Sequence, residues 1–120
     1  MPYQIEERDG YVEVSVSGHT SEWEALSIIF QLRMRDPRKT VPDLWTLASE
    51  SVIHLPAFPL IADAVARLCP PGFAGAKTAL VAADGFQKAL METYRDEMRR
   101  LPFEMGVFES RDEAVQWLKT

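Results

Sequence analysis

Few residues in this chain have the types and spacing that catalysis requires. Cys69, directly before Pro70 and Pro71, would need His19 or His54 as its base to act as a nucleophile, and a thiol in such a place is more often structural. The sequence has no phosphate-binding glycine loop, no dinucleotide-binding fingerprint, no histidine pair at metal-ligand spacing and no nucleophile elbow. It therefore predicts a protein that is not an enzyme and needs no metal or cofactor. Catalysis by Cys69 or His54 is the weakest alternative.

Charge and composition limit the partners further. The 18 acidic and 13 basic side chains give a net charge of -5, which repels phosphate backbones and argues against nucleic acid. The single cysteine and the absence of signal-peptide features after Met1 favour the cytoplasm. The length of 120 residues and the apolar content of 47% predict one globular domain over residues 1–120.

The elements expected from hydrophobic periodicity begin with a hairpin. Residues 3–7 and 11–17 alternate between apolar and polar types around a turn at 8–10, which predicts two antiparallel strands. The later elements are expected to be a helix to about Arg35, a strand Asp43–Leu47, a helix Pro56–Leu68, a strand Thr78–Ala82, a helix Asp84–Leu101, a strand Phe103–Phe108 and a helix Asp112–Lys119. Such alternation predicts the α/β class, with a mixed, mostly parallel sheet of about five strands and about four helices.

Two of these helices have apolar stripes that are expected to face the core. In the first helix the stripe consists of Trp23, Leu26, Ile29, Phe30 and Met34. In the third helix it consists of Phe86, Leu90, Tyr94, Met98 and Leu101. Asp84 is expected to cap the third helix, because an aspartate at the N-cap accepts a hydrogen bond from a free backbone N–H.

The second helix is apolar around much of its circumference, since only Asp63 and Arg67 are strongly polar. Such a helix is deeply buried, or it covers a ligand pocket or a homodimer interface. We predict a site for a small apolar, lipid-like or amphipathic ligand between the second and third helices. The expected apolar wall is Trp45, Leu55, Phe58, Ile61, Met91 and Tyr94. His54, just past the end of a strand, would supply a polar contact, although a loop histidine more often only packs.

Two basic clusters have a structural and a functional interpretation. They consist of Arg33, Arg35, Arg38 and Lys39, and of Arg95, Arg99 and Arg100. Cations near helix carboxyl ends are stabilised by the helix dipole, which suffices to explain both clusters. The alternative is peripheral contact with a membrane surface, where basic side chains meet anionic headgroups.

The sequence resembles the SpoIIAA-like family of the STAS superfamily, which are small bacterial domains. Residues 1–5 and 10–18 are similar to the family's opening hairpin, and Ala79–Ala82 resembles its central strand. Residues 101–118 are similar to its closing strand and helix, with Phe108, an acidic turn and the ending Ala114-x-x-Trp117-Leu118. The resemblance implies a SpoIIAA-like α/β fold. It also implies a module for lipid or small apolar ligands, with membrane association through the middle helices.

The same superfamily offers a second function. Its anti-sigma factor antagonists carry a phosphorylatable serine in an Asp-Ser-x-Gly motif after the third strand, where phosphate charge expels a protein partner. Here residues 47–52 read Leu-Ala-Ser-Glu-Ser-Val, with no aspartate directly before a serine and no glycine after it. Ser49 and Ser51 are therefore kept as the alternative phospho-switch or partner loop of a protein-interaction module.

Overall fold

The part of the chain that the structure describes forms five strands and four helices. The computed structural model describes residues 3–17, 22–48, 58–68, 75–99, 101 and 103–120. The elements are β1 (Tyr3–Arg8), β2 (Tyr11–Val16), α1 (Glu22–Arg35), β3 (Asp43–Leu47), α2 (Phe58–Arg67), β4 (Thr78–Val81), α3 (Gly85–Glu97), β5 (Met105–Phe108) and α4 (Arg111–Leu118). This order is the one that the sequence predicts, and the boundaries differ by only a few residues.

The strands form one sheet in the order β1-β2-β3-β4-β5. β1 pairs antiparallel with β2, and Tyr3 lies opposite Val16. Every later pair is parallel. Gly10 occupies the hairpin turn with a φ of 83°, a conformation that glycine adopts without a steric cost. The predicted hairpin and the mixed, mostly parallel sheet are confirmed.

Three helices cover one face of this sheet and one helix covers the other. Trp45 and Leu80 of the central strands pack against α1 and α3, whereas Leu44 and Ala79 face α4. The helices α1, α2 and α3 connect β2 to β3, β3 to β4 and β4 to β5, so each connection moves one strand further across the sheet in the same direction. Right-handed crossovers of this kind place their helices on one face. The larger core of the protein therefore lies between the sheet and the helices α1, α2 and α3.

The apolar stripe predicted for α1 is partly wrong. Ala25, Ile28 and Leu32 are the buried residues, while Phe30 is 53% exposed and Met34 is 68% exposed. Two residues correspond to roughly 200° around a helix, so Phe30 and Met34 lie almost opposite Ile28 and Leu32. Because α1 carries apolar residues on both sides, periodicity alone did not identify the buried side.

In α3 the predicted cap is confirmed, because the backbone N–H of Gln87 donates to the Asp84 carboxylate at 2.8 Å. The prediction that Phe86 faces the core is wrong, since its side chain is 65% exposed. Phe86 lies in the first turn, where the helix has only just left the edge of the sheet. Gln87 points inward instead and is only 2% exposed.

Candidate ligand-binding cavity

A cavity of about 90 Å³ lies between the sheet and the helices α1, α2 and α3. Its walls are mostly apolar and include Leu32, Ile61, Val65, Met91 and Met98. The sheet contributes β3 and β4 side chains that point to this face. The sheet therefore forms the floor of the cavity, and the three helices form its roof.

Four of the predicted ligand residues line this one cavity, namely Trp45, Ile61, Met91 and Tyr94. They come from β3, α2 and α3, which the fold brings together on one face of the sheet. Phe58 is the first residue of α2. The other predicted residues, His54, Leu55, Ser49 and Ser51, lie outside the described residues, as do Cys69 and His19. The role of all these residues in binding stays a prediction.

The amino-terminal end of β3 places a buried ion pair against the cavity. Lys39 is 3% exposed and Asp43 is 6% exposed, and the ammonium donates to the carboxylate at 2.6 Å. The Thr78 hydroxyl also donates to the carboxylate at 2.6 Å, and the Trp45 indole N–H donates to its other oxygen at 2.9 Å. Asp43 is thus a buried charge that is both paired and hydrogen-bonded, as burial of a charge requires.

The remaining donors of Lys39 are directed to the backbone before β4. Its ammonium donates to the carbonyl of Ala76 at 2.8 Å and to that of Lys77 at 3.3 Å. It also lies 4.8 Å from the centre of the Phe103 ring. An ammonium has three N–H donors, so these two carbonyls and Asp43 use all of them. Lys39 therefore has no donor left for a ligand.

The ionisation of this network follows from its surroundings. Burial by itself would raise the pKa of the Asp43 carboxyl, but the charge and hydrogen bond of Lys39, together with Thr78 and Trp45, hold that pKa below its usual range. Burial lowers the pKa of the Lys39 ammonium, and the charge of Asp43 opposes that effect. Burial, and then the charge of Asp43, raises the pKa of the Tyr94 hydroxyl, which keeps it neutral at physiological pH. The cavity wall thus carries a balanced ion pair and a neutral phenol.

The sequence analysis missed the two charged residues of this network as site residues. The sequence pattern places Lys39 in a basic cluster near the end of the first helix and Asp43 only at the start of a strand. The available signal was an aspartate within the otherwise mainly apolar run of residues 41–47, preceded by a lysine four residues earlier. A charge inside a buried strand needs a partner, and Lys39 is that partner.

The four residues of the first basic cluster therefore do not form a single exposed surface. Arg35 and Arg38 are exposed, Lys39 is buried, and Arg33 is half-buried at the cavity wall. Arg33 donates to the carbonyl of Asp36 at 2.8 Å, which satisfies a carbonyl at the end of α1 in the manner that helix ends favour. The proposed contact of this cluster with a membrane stays a prediction.

In the second cluster, Arg95 and Arg99 lie within ion-pair distance of acidic neighbours on α3.

At the carboxyl edge of the sheet, Gln87 connects the chain segments that follow two strands. Its amide N–H donates to the carbonyl of Ala48 at 2.6 Å, and its side-chain oxygen accepts from the backbone N–H of Ala83 at 2.9 Å. Ala48 directly precedes the predicted partner loop that begins at Ser49. Gln87 thereby holds Ala48 and Ala83 together at this edge of the sheet.

The opposite face of the sheet carries a second charged cluster around Glu13, which is 7% exposed. Arg111 binds its carboxylate through two nitrogens at 3.1 and 2.7 Å and also donates to the Tyr11 hydroxyl at 2.8 Å. Arg8 adds a hydrogen bond at 3.2 Å. This cluster joins β2 to the first residue of α4, on the face of the sheet opposite the cavity.

The Glu13 cluster predicts a loss of stability in acid. The hydrogen bonds from Arg111 lower the pKa of Glu13, against the opposing effect of burial. A carboxyl with a lowered folded-state pKa stabilises the protein above its ordinary value near 4.5, and that stabilisation is lost as the pH falls through the folded value. We expect Glu13→Gln to cost about 1–2 kcal/mol of unfolding free energy at pH 7. The difference from wild type should shrink below about pH 4.5 in urea titrations at several pH values. A constant difference down to pH 3 would contradict this account.

The described residues lack both a membrane-spanning helix and a metal-binding cluster. None of the helices within these ranges is long and apolar enough to cross a membrane. No group of three or more histidine, cysteine, aspartate or glutamate side chains within the same ranges could hold a metal ion.

Comparison with known proteins identifies the fold. Neither a protein-family model nor a curated protein matches the sequence. Among solved structures, the crystal structure of an uncharacterized protein of the DUF3478 family with a SpoIIAA-like fold, from Shewanella loihica PV-4, matches with a TM-score of 0.61 and 18% identity. The match covers 97% of this chain and 91% of that one. The chain therefore has a SpoIIAA-like α/β fold. This finding confirms the resemblance at the level of the fold.

Proposed function

We propose that this protein is a non-enzymatic binding domain that holds a small, largely apolar ligand in the cavity between its sheet and the helices α1, α2 and α3. The single observation that carries the proposal is the cavity itself, which four independently predicted residues line. Ligand sites are typically concave and apolar with a few polar groups, and this cavity fits that description.

The size and the walls of the cavity define the ligand. Its volume of about 90 Å³ is several times the roughly 10–15 Å³ that one water molecule requires. A cavity of about 150 Å³ holds a benzene ring, so this one has room for a short chain as it stands and for a whole ring after a modest expansion. Met91, Met98 and Met105 line it, and methionine side chains are flexible enough to accommodate a larger ligand.

The test uses hexan-1-ol and benzene as probes. We expect both to raise the melting temperature and to shift the amide NMR signals of cavity residues such as Met91. Ala25→Leu, which places extra side chain at the cavity wall, should weaken binding by about tenfold or more, equivalent to about 1.4 kcal/mol. Ala89→Leu makes the same change at an exposed position of α3 and should leave binding unchanged.

A folded wild-type protein that binds neither probe at millimolar concentration would refute the proposal. Circular dichroism shows whether Ala25→Leu remains folded. If it does not, Ala25→Val provides a smaller obstruction at the same position. Equal binding by the folded Ala25 variant and the Ala89 variant would show that the probes occupy another place.

A protein-interaction function of the STAS type is the second candidate. The observation in its favour is Phe86, which is 65% exposed beside the edge where Gln87 holds Ala48. Exposed aromatic residues often anchor protein interfaces. Phe86→Ser should abolish capture of a specific partner in cells, whereas Phe30→Ser, at another exposed phenylalanine, should not. Failure of both wild type and Phe30→Ser to capture a partner, with no phosphate on Ser49 or Ser51, would argue against this candidate.

A further inference from the structure

We propose that the ligand carries a carboxylate, which the Arg33 guanidinium binds at the cavity wall while the apolar body of the ligand lies between the sheet and the helices. This inference rests on the proposed function of the cavity. It adds the charge of the ligand and the residue that recognises it.

The hydrogen bonds of Arg33 leave most of its donors available. The side chain is half-buried and lines the cavity. One nitrogen donates to the carbonyl of Asp36 at 2.8 Å, whereas a guanidinium has five N–H donors. Among the residues that the structure describes, no carboxylate forms an ion pair with Arg33. A guanidinium in an apolar wall with unused donors is a suitable receptor for an anion.

The acidic side chains near Arg33 accept their hydrogen bonds from other groups. Burial would raise the pKa of the Asp36 carboxyl, but hydrogen bonds from Thr40 and Val41, and after them the charge of Arg33, hold that pKa below its usual value. The Asp36 carboxylate accepts from the Thr40 hydroxyl at 2.9 Å and from the Val41 backbone N–H at 2.8 Å. Asp43 is bound by Lys39, as described above. The charge of Arg33 reaches this network, because it adds to the effect of burial in lowering the pKa of Lys39. An anion at Arg33 would offset the repulsion between these two cations.

The chemistry of the site favours a carboxylate over other head groups. A planar guanidinium binds a carboxylate through two parallel hydrogen bonds, which makes the contact both strong and directional. Only one cation with available donors lines the described part of the cavity, so a singly charged anion matches it better than a multiply charged one. An amine would meet the repulsion of Arg33, and an alcohol would leave most of the guanidinium donors to water.

The experiment compares three ligands that have the same chain and different head groups: hexanoate, hexan-1-ol and hexylamine. Titration calorimetry or NMR is used on the wild type and on Arg33→Gln. Arg35→Gln serves as the control, because Arg35 is an exposed cation two residues away on the same helix. We expect the wild type to bind hexanoate about tenfold more tightly than hexan-1-ol. Arg33→Gln should abolish this preference and change the affinity for hexan-1-ol by less than about twofold, whereas Arg35→Gln should retain it.

Each remaining outcome has a definite meaning. If the wild type binds hexan-1-ol at least as tightly as hexanoate, the carboxylate assignment is wrong and the proposed function stands. If the two arginine variants lose the preference equally, the effect is long-range charge and Arg33 is not the receptor. If none of the three probes binds the folded protein, the proposed function itself fails. Should Arg33→Gln not fold, Arg33→Lys keeps the charge and removes the two-pronged geometry, and an unchanged preference in that variant would also overturn the assignment.

Discussion

Replacing Lys39 with methionine is expected to lower the free energy of unfolding by about 3–5 kcal/mol, because it leaves a buried carboxylate without its counter-charge. Asp43 is 6% exposed and would keep only the hydrogen bonds from Thr78 and Trp45. The carbonyl of Ala76 would lose its donor as well, whereas the carbonyl of Lys77 would keep the backbone N–H of Asp43 at 3.1 Å. Urea denaturation at pH 7, followed by circular dichroism, measures the loss.

The matched control is Lys88→Met. Lys88 forms an ion pair with Glu109 at 3.2 Å, but both side chains are exposed, so this loss should stay below about 1 kcal/mol. Adding Asp43→Asn to the Lys39 variant removes the unpaired charge, and the double variant should regain part of the lost stability. If the Lys39 and Lys88 variants were equally stable, the ion pair would have to be open to water in solution.

The architecture follows from local sequence patterns to a large extent. The alternation of Val12, Val14 and Val16 predicts the inward face of β2, and Val14 and Val16 are indeed buried in the main core. Asp84 identifies the start of α3. The sequential strand order was not predicted, because it depends on which strands pair, and strand pairing is decided by contacts between residues that are distant in sequence.

Burial of individual side chains was harder to predict, for reasons that differ between residues. Lys39 looks exposed because a lysine is rarely buried, and only the pairing of β3 with β4 brings Thr78 and the Ala76 carbonyl around it. Phe30 looks buried because a large apolar side chain on an amphipathic helix is expected to face the core. Neither the environment of Lys39 nor the rotation of α1 about its axis is determined by residues that are adjacent in sequence.

The candidate cavity was predicted in part by the same reasoning. Trp45, Ile61 and Met91 were identified because they lie on apolar segments that had to pack together. Arg33 and Asp43 were not identified as cavity residues. Their roles depend on which hydrogen-bond donors and acceptors remain available after folding. That information exists only in the three-dimensional contacts.

Ile28→Ala is expected to cost about 3–4 kcal/mol of unfolding free energy, whereas Phe30→Ala should cost less than about 1 kcal/mol. Ile28 is 0% exposed and packs against the sheet, so its truncation leaves a cavity in the core. Phe30 is 53% exposed and loses little contact when it is truncated. Thermal and urea denaturation of both variants, with wild type alongside, measures the difference.

This comparison also tests the candidate site, because the rotation of α1 determines what faces the cavity. Ile29, Leu32 and Arg33 line the cavity only when Ile28 faces the sheet. If Phe30→Ala were the more costly substitution, α1 would have to be turned by roughly 200° about its axis. Arg33 would then point away from the cavity, and the proposed carboxylate contact could not form. The proposed site therefore requires that Ile28→Ala lowers the free energy of unfolding much more than Phe30→Ala does. Only then do the apolar residues of α1 and the Arg33 guanidinium face the cavity together.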